Sequence, residues 1–204
     1  RKLVDSQRQN VLEGASLYGM IRNMFEKVAR ERVSFFLTAS DEDLLPTPVP
    51  GAEAPAPDSV DRAAAIRSWL RATYGMDLAD LGLDPEARLR DQVEPLKDRI
   101  LGAYDARYGQ KKAEIGEESM RRIERFILLL KIDEKWKDNL YAMDHLRHGI
   151  GLRGYGQIDP KIAYKQEGYQ MFSQLIENLR SDVTELIFRV QVRKEDESRL
   201  GTNL

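Results

Sequence analysis

The sequence predicts an all-α fold: a segment of one long helix, a small helical subdomain, and an antiparallel two-helix hairpin. Three observations predict it. Apolar residues recur at three- and four-residue steps along most of the 204 residues, the period of one face of a helix. Charged residues make up 32 % of the chain beside 42 % hydrophobic residues, the balance of long, partly solvated helices. Two such stripes also approach a cluster of four glycines, Gly149, Gly151, Gly154 and Gly156, from opposite sides.

Composition also excludes several classes. A net charge of -2 gives no general drive toward nucleic acid or anionic lipid. Cysteine is absent, which excludes disulfides and cysteine zinc sites within these residues and fits a reducing compartment. Apolar runs such as Phe126 to Leu130 fall well short of the roughly 18 residues of a membrane span. The chain opens Arg-Lys-Leu-Val-Asp without methionine or a signal-peptide pattern, and so reads as part of something longer.

From Leu3 to Leu37 the residues Leu17, Ile21, Met24, Phe25 and Val28 mark an amphipathic helix, with a weak point at Gly14. Residues 45–59 hold Pro46, Pro48, Pro50, Pro55 and Pro57 and read as an extended linker or inserted loop. Asp58 or Ser59 is placed to cap a helix carrying Ile66, Trp69, Leu70 and Tyr74 that stops at Gly75, with Trp69 as a core anchor. Asp84-Pro85 reads as a second helix start, continued by Leu89 and Val93 until Pro95 kinks or ends it. Leu96, Ile100, Leu101, Tyr104 and Tyr108 carry a further stripe to about Gly109.

The hairpin opens at Glu117 and Glu118, acidic residues suited to a helix N-terminus. Ile123, Phe126, Ile127 and Leu130 form a predicted buried face, continued by Ile132, Trp136, Leu140, Met143 and Leu146 up to a stop at Gly149. Asp159-Pro160 opens the return helix. Its apolar residues Tyr169, Phe172, Ile176, Leu179, Val183, Leu186 and Val190 step three and four alternately, the spacing of a heptad seam. Arms of roughly 30 residues reach about 45–50 Å. A short connection between them implies an antiparallel pair.

No catalytic constellation emerges. His145 and His148, with Asp144 beside them, could share a metal, but a zinc site needs three or four convergent ligands and no other histidine exists. Asp133 and Glu134 diverge on a helix and read as solvated or salt-bridged. Gly154-Tyr155-Gly156 is followed by Gln157, which lacks the strand and Gly-Lys-Ser/Thr ending of a phosphate loop. At the tip, flanking glycines leave two readings of Tyr155 open. It stands proud, a flat face with a hydroxyl suited to peptides of varied sequence, beside the long cationic arm of Arg153. Alternatively it folds back over Ile150, Leu152 or Ile158 and closes the loop.

The run from Trp136, "WKDNLYAMDHLRHGIGL", continued by "RGYGQIDPKIAYKQEGYQMF" and closing at "VQVR" near Arg193, resembles the two-helix finger of the SecA family, the ATP-driven motors of bacterial preprotein translocation. "DSQRQNVLEG" resembles the later part of that family's long scaffold helix. The resemblance implies a scaffold-helix segment over 1–37, a helical wing over 38–116 with the Pro/Ala-rich stretch 45–59, the finger over 117–195, and a tail over 196–204. The proline-alanine stretch departs from the family pattern, and Ala163, Gln166 and Tyr169 stand where acidic, basic and phenylalanine residues are expected.

The resemblance implies a non-catalytic portion of a translocase. ATP and magnesium belong to missing motor domains and zinc to a missing C-terminal tail, with no cofactor or metal in this segment. Tyr155 falls on the family's tip tyrosine. A polypeptide or channel contact is therefore expected at the tip from Tyr155, Arg153, Ile150, Leu152 and Gln157. The implied partners are the SecY channel (SecYEG), an unfolded preprotein, and the parent's own nucleotide-binding and preprotein-binding domains. A homodimer is admitted and nucleic acid is not expected. The implied place is the cytoplasm, peripheral at the cytoplasmic face of the inner membrane. Two rivals are a nucleic-acid-binding hairpin with Arg147, Arg153, Lys161 and Lys165 as its basic end, and a coiled-coil module that self-associates through its seam.

Overall fold

The computed structural model describes residues 2–13, 16–44, 61–150 and 159–190. Among them the regular structure is entirely helical: α1 (Lys2–Leu12), α2 (Leu17–Thr38), α3 (Asp41–Leu44), α4 (Arg62–Tyr74), a 3-10 turn (Leu89–Gln92), α5 (Val93–Ile115), α6 (Glu117–Gly149) and α7 (Pro160–Arg189). The all-α expectation holds. The chain divides into two compact units, Arg1–Met24 with Gly116–Leu204, and Phe25–Ile115. Gly14 and residues 45–60, including the proline-rich stretch, Asp58 and Ser59, lie outside the described residues.

In the Phe25–Ile115 unit, Phe25, Val28, Ala29, Val33 and Leu37 line the buried face of α2. Ile66, Leu70 and Tyr74 of α4 and Leu96, Ile100 and Tyr104 of α5 are buried in the same unit. An aromatic cluster closes this core. The Phe25 and Tyr104 rings stack at 3.8 Å, and Tyr74 meets both edge-on, at 5.1 and 6.1 Å between centroids. Trp69 is half-buried at its margin, between Phe36 and Tyr74.

Helix ends need partners for their last carbonyls. Arg62 supplies them for the end of α2, donating to the Phe36 carbonyl at 2.7 Å and the Ala39 carbonyl at 3.0 Å while pairing with Asp41. The cap of α4 is Asp61, whose carboxylate accepts from the Ala64 N–H at 2.9 Å. The helix stops at Gly75 as expected.

Three sequence expectations are corrected here. Asp84-Pro85 begins no helix, because the buried Gln92 side chain holds the loop: it accepts from the Asp84 N–H at 2.7 Å and donates to the Asp84 and Ala87 carbonyls. Pro95 does not end a helix, since it sits in the first turn of α5, where a missing N–H costs nothing. That helix continues past Gly109 to Ile115 and stops against Gly116, whose φ of 87° and ψ of 155° suit glycine alone.

Between α2 and α5 lies a charge network. The buried Lys97 ammonium pairs with Glu94 at 2.8 Å, Asp98 at 3.1 Å and Glu26 at 3.5 Å, and Arg30 pairs with Glu94 at 3.0 Å. The hydrogen bond from Lys97 is the largest influence holding the Glu94 carboxyl below its ordinary value, against the effect of burial. The same bond raises Lys97 above its own, again against burial.

In the other unit, Ser16 caps α2, its hydroxyl accepting from the Gly19 N–H at 3.2 Å. α1 lies along α6 with Val4 and Val11 buried and Arg8 paired to Asp133 at 3.5 Å. Glu134 pairs with Lys131 at 2.8 Å. Asp133 and Glu134 are thus salt-bridged, as their divergence on the helix implied.

Phe25→Ala is expected to destabilise the Phe25–Ile115 unit by about 3–5 kcal/mol, the cost of a large cavity, read from denaturant midpoints. The charge network has a signed pH dependence. Glu94 contributes stability that is complete above its ordinary 4.5 and is lost as pH falls through the lowered folded value. Lys97 contributes stability that is complete below 10.5 and is lost as pH rises through the raised folded value. Lys97→Met should therefore flatten both limbs of a stability-against-pH curve, and a curve of unchanged shape would refute that account.

Candidate functional site

α6 and α7 form the expected antiparallel hairpin. With 33 and 30 residues the arms reach about 50 and 45 Å. α6 packs against both α7 and α1, with Met120, Ile123, Ile127, Leu128 and Ile132 of α6 and Leu175, Leu179, Val183 and Ile187 of α7 buried. Across it, Lys131 and Lys135 converge on Asp182 at 3.6 and 2.9 Å. Lys131 is raised above its ordinary value, chiefly by its hydrogen bond to Glu134 and against burial, with Asp182 assisting.

The buried faces match the expected ones at Ile123, Ile127, Ile132, Leu179 and Val183 and differ elsewhere. Along α7 the buried line steps by four, from Leu175 through Leu179 and Val183 to Ile187. Tyr169 is 74 % exposed, and Phe172, Ile176, Leu186 and Val190 are half-buried. The reason is local. At that level Met143 seats over Gly168, where an added Cβ would stand 3.1 Å from the methionine methyl carbon, and position 169 lies 100° further round the helix. On α6, Phe126, Leu130 and Leu140 are exposed. Ile127 and Leu128 take the inward positions beside Phe126, and Asn139 takes the one beside Leu140.

The tip is approached from both sides by described residues. α6 ends at Gly149, and Ile150 follows in right-handed helical geometry, its N–H donating to the Leu146 carbonyl. Gly149 is therefore not the left-handed stop that the glycine suggested. α7 starts as expected, with the Asp159 carboxylate accepting from the Lys161 N–H at 2.8 Å and Pro160 in the first position. Of the expected contact residues, Ile150 is half-buried at the end of α6. Tyr155, Arg153, Leu152 and Gln157, with Ile158, lie outside the described residues.

Between the two helix ends opens a cavity of about 540 Å³ lined by Arg147, Ile150, Pro160, Lys161, Tyr164 and Lys165. The fold thus brings together three of the four cations at the basic end of the hairpin. Pro160 and Tyr164 were not expected in this lining, although the four-residue steps 160, 164 and 161, 165 place them on it. His148 bonds through Nδ1 to the Asp144 carbonyl at 2.8 Å. Among the described residues no three histidine or carboxylate side chains are grouped to hold a metal, and no helix is long and apolar enough to cross a membrane.

Against this geometry the comparisons are specific. Residues 1–191 match the model of the SecA Wing and Scaffold domain. The chain is 32 % identical over 201 residues to the protein translocase subunit SecA of Syntrophobacter fumaroxidans, covering 97 % of this chain and 21 % of that protein. It is 34 % identical over 197 residues to the same-named subunit of Clostridium botulinum (strain Okra / Type B1), with the same coverage. The subunit of Ectopseudomonas mendocina is 37 % identical over 172 residues, covering 83 % of this chain and 19 % of that protein. The chain therefore spans about a fifth of the length of these relatives.

Gly168 tests the close approach of the arms. Gly168→Ala is expected to be neutral or stabilising, because the helix gains up to about 1 kcal/mol of propensity and the flexible end of Met143 can yield. Gly168→Val should cost about 1–3 kcal/mol by overpacking and speed amide exchange in residues 140–147 and 163–170. Equal exchange in the two variants would show that the arms do not interlock there.

Proposed function

Because this chain belongs to the SecA wing and scaffold family, we propose that it is the non-catalytic part of a protein translocase that carries motion from absent motor domains to a polypeptide at the hairpin tip. In this reading residues 1–37 belong to the scaffold helix, 38–116 to the wing, 117–195 to the finger and 196–204 to a tail. ATP and magnesium act in the parent's motor domains, and zinc in its C-terminal tail. The finger meets the SecYEG channel at the cytoplasmic face of the membrane, where Tyr155, with Arg153, Ile150, Leu152 and Gln157 around it, contacts the unfolded preprotein.

The observation that carries this reading is the hairpin's uneven construction. Its arms share an apolar core over their proximal half and a charged clasp at Lys131, Lys135 and Asp182. At the distal end the lining turns to cations around an open cavity. A pair of long helices bound in this way resists bending along its length. Exposed Phe126, Leu130 and Tyr141 on α6 supply an apolar face on which the parent's own motor or preprotein-binding domain can rest.

Tyr155→Ala in the full-length protein should reduce preprotein transport by about tenfold or more, the scale of losing one aromatic hot spot, with an unchanged melting temperature. Transport equal to wild type would remove the tip from the mechanism.

A further inference from the structure

Away from its buried residues, α6 carries a second line of side chains at heptad spacing. Phe126, Leu130, Asp133, Lys137, Leu140 and Asp144 step four and three alternately, and all six are exposed. Such steps keep one line of a helix turned toward a partner helix. Neither α7 nor α1 is that partner, because both pack on α6 while the line stays open to solvent. Beside it, the Lys137 ammonium stands 5.9 Å from the centre of the Tyr141 ring. Arg8 approaches Asp133 at 3.5 Å and leaves more than half of that side chain exposed.

The order of the charges decides what fits this face. Turned end for end about the level of position 135, the line matches itself. Leu130 then faces the partner's Leu140, Asp133 faces the partner's Lys137, and Phe126 faces the partner's Asp144. Every pairing occurs twice, as a contact between identical surfaces requires. At the two ends the carboxylate can lie along the positive edge of the phenyl ring. A parallel arrangement would instead set Asp133 against the partner's Asp133 and Lys137 against the partner's Lys137, and like charges in contact oppose it.

We propose that this outer face of α6 docks a second copy of the chain, antiparallel about position 135. The proposal goes beyond the translocase reading and does not depend on a polypeptide at the tip. One of the parent's own domains could rest on Phe126 and Leu130, but a copy of the line supplies by construction a base opposite Asp133 and an acid opposite Lys137. From Phe126 to Asp144 the contact runs along about 27 Å of helix. Charged residues at seam positions fix orientation at a cost in stability, and exposed ion pairs add little. The association is therefore weak, reversible and salt-sensitive.

The test is sedimentation of the full-length protein over a concentration series. We expect the mass to rise with concentration toward that of two copies. Lys137→Asp makes two pairs repulsive at once and should weaken association by about tenfold or more, and Asp133→Lys should do the same. Mixed in equal amounts, these two variants regain both attractive pairs and should associate with each other about as strongly as wild type. Asp133→Lys also meets Arg8 of its own chain, so a second pair of variants avoids that position. Leu130→Cys mixed with Leu140→Cys should form a disulfide between copies, and neither should form one with itself, because like positions stand about 15 Å apart along the helices. A single-copy mass at every concentration would overturn the proposal and leave the face to one of the parent's own domains. Association indifferent to Lys137→Asp, or equal disulfide yields in mixed and unmixed samples, would overturn it as well.

Discussion

The hairpin depends on the interlock of α6 and α7, and the interlock is unequal along its length. Near the open end it is made by branched aliphatics, with Ile123, Ile127, Leu128 and Ile132 against Leu179, Val183 and Ile187. In mid-length it is charged, and toward the tip Asn139, Met143 and Gly168 join Leu175 and Ala163 in it. Apolar burial is worth about 25 cal/mol per Å², so the proximal half holds the pair together. The clasp of Lys131 and Lys135 on Asp182 adds direction more than strength. Exposed and half-exposed ion pairs contribute little energy, but they oppose sliding of one helix past the other.

The Phe25–Ile115 unit solves a different problem. Its helices are joined by irregular connections whose polar backbone must be satisfied, and single side chains do this. Arg62 serves the carbonyls at the end of α2, and Gln92 closes the turn around Asp84. Each of these residues lies far in sequence, or several positions away, from the groups it satisfies. The stacked rings of Phe25 and Tyr104, with Tyr74 edge-on, then fix three helices at one point, where aromatic geometry favours defined angles over mere contact.

What was legible in the sequence follows from that contrast. Local signals held: Asp159 and Pro160 start α7, Gly75 stops α4, and Leu17, Ile21, Phe25 and Val28 mark one face of α2. Signals whose meaning depends on a distant partner did not hold. Asp84-Pro85 has the form of a helix start, and only the location of Gln92 turns it into a loop. Tyr169 fits a heptad register, yet it is exposed where Met143 of the opposite arm seats over the adjacent Gly168. Period identifies a helix, but which third of its surface is covered is settled by the neighbour. Of the candidate site, its approach by two helix ends was legible. The cavity lining was legible only in part: Arg147, Lys161 and Lys165 were expected at this end, and Pro160 and Tyr164 acquire meaning only when the two helix ends are brought face to face.

The uneven construction of the hairpin bears on the proposed function. A contact that must hold any passing chain and then release it needs many weak interactions in place of a few strong ones, since affinity stored in one deep pocket becomes a barrier to the next step. An apolar seam extended to the tip would have made a stiffer hairpin. Asn139 enters the seam toward the tip, and the aliphatic and charged pairing nearer the open end maintains alignment of the arms. If the tip contacts a polypeptide as proposed, stiffness and contact fall on different stretches of the same two helices.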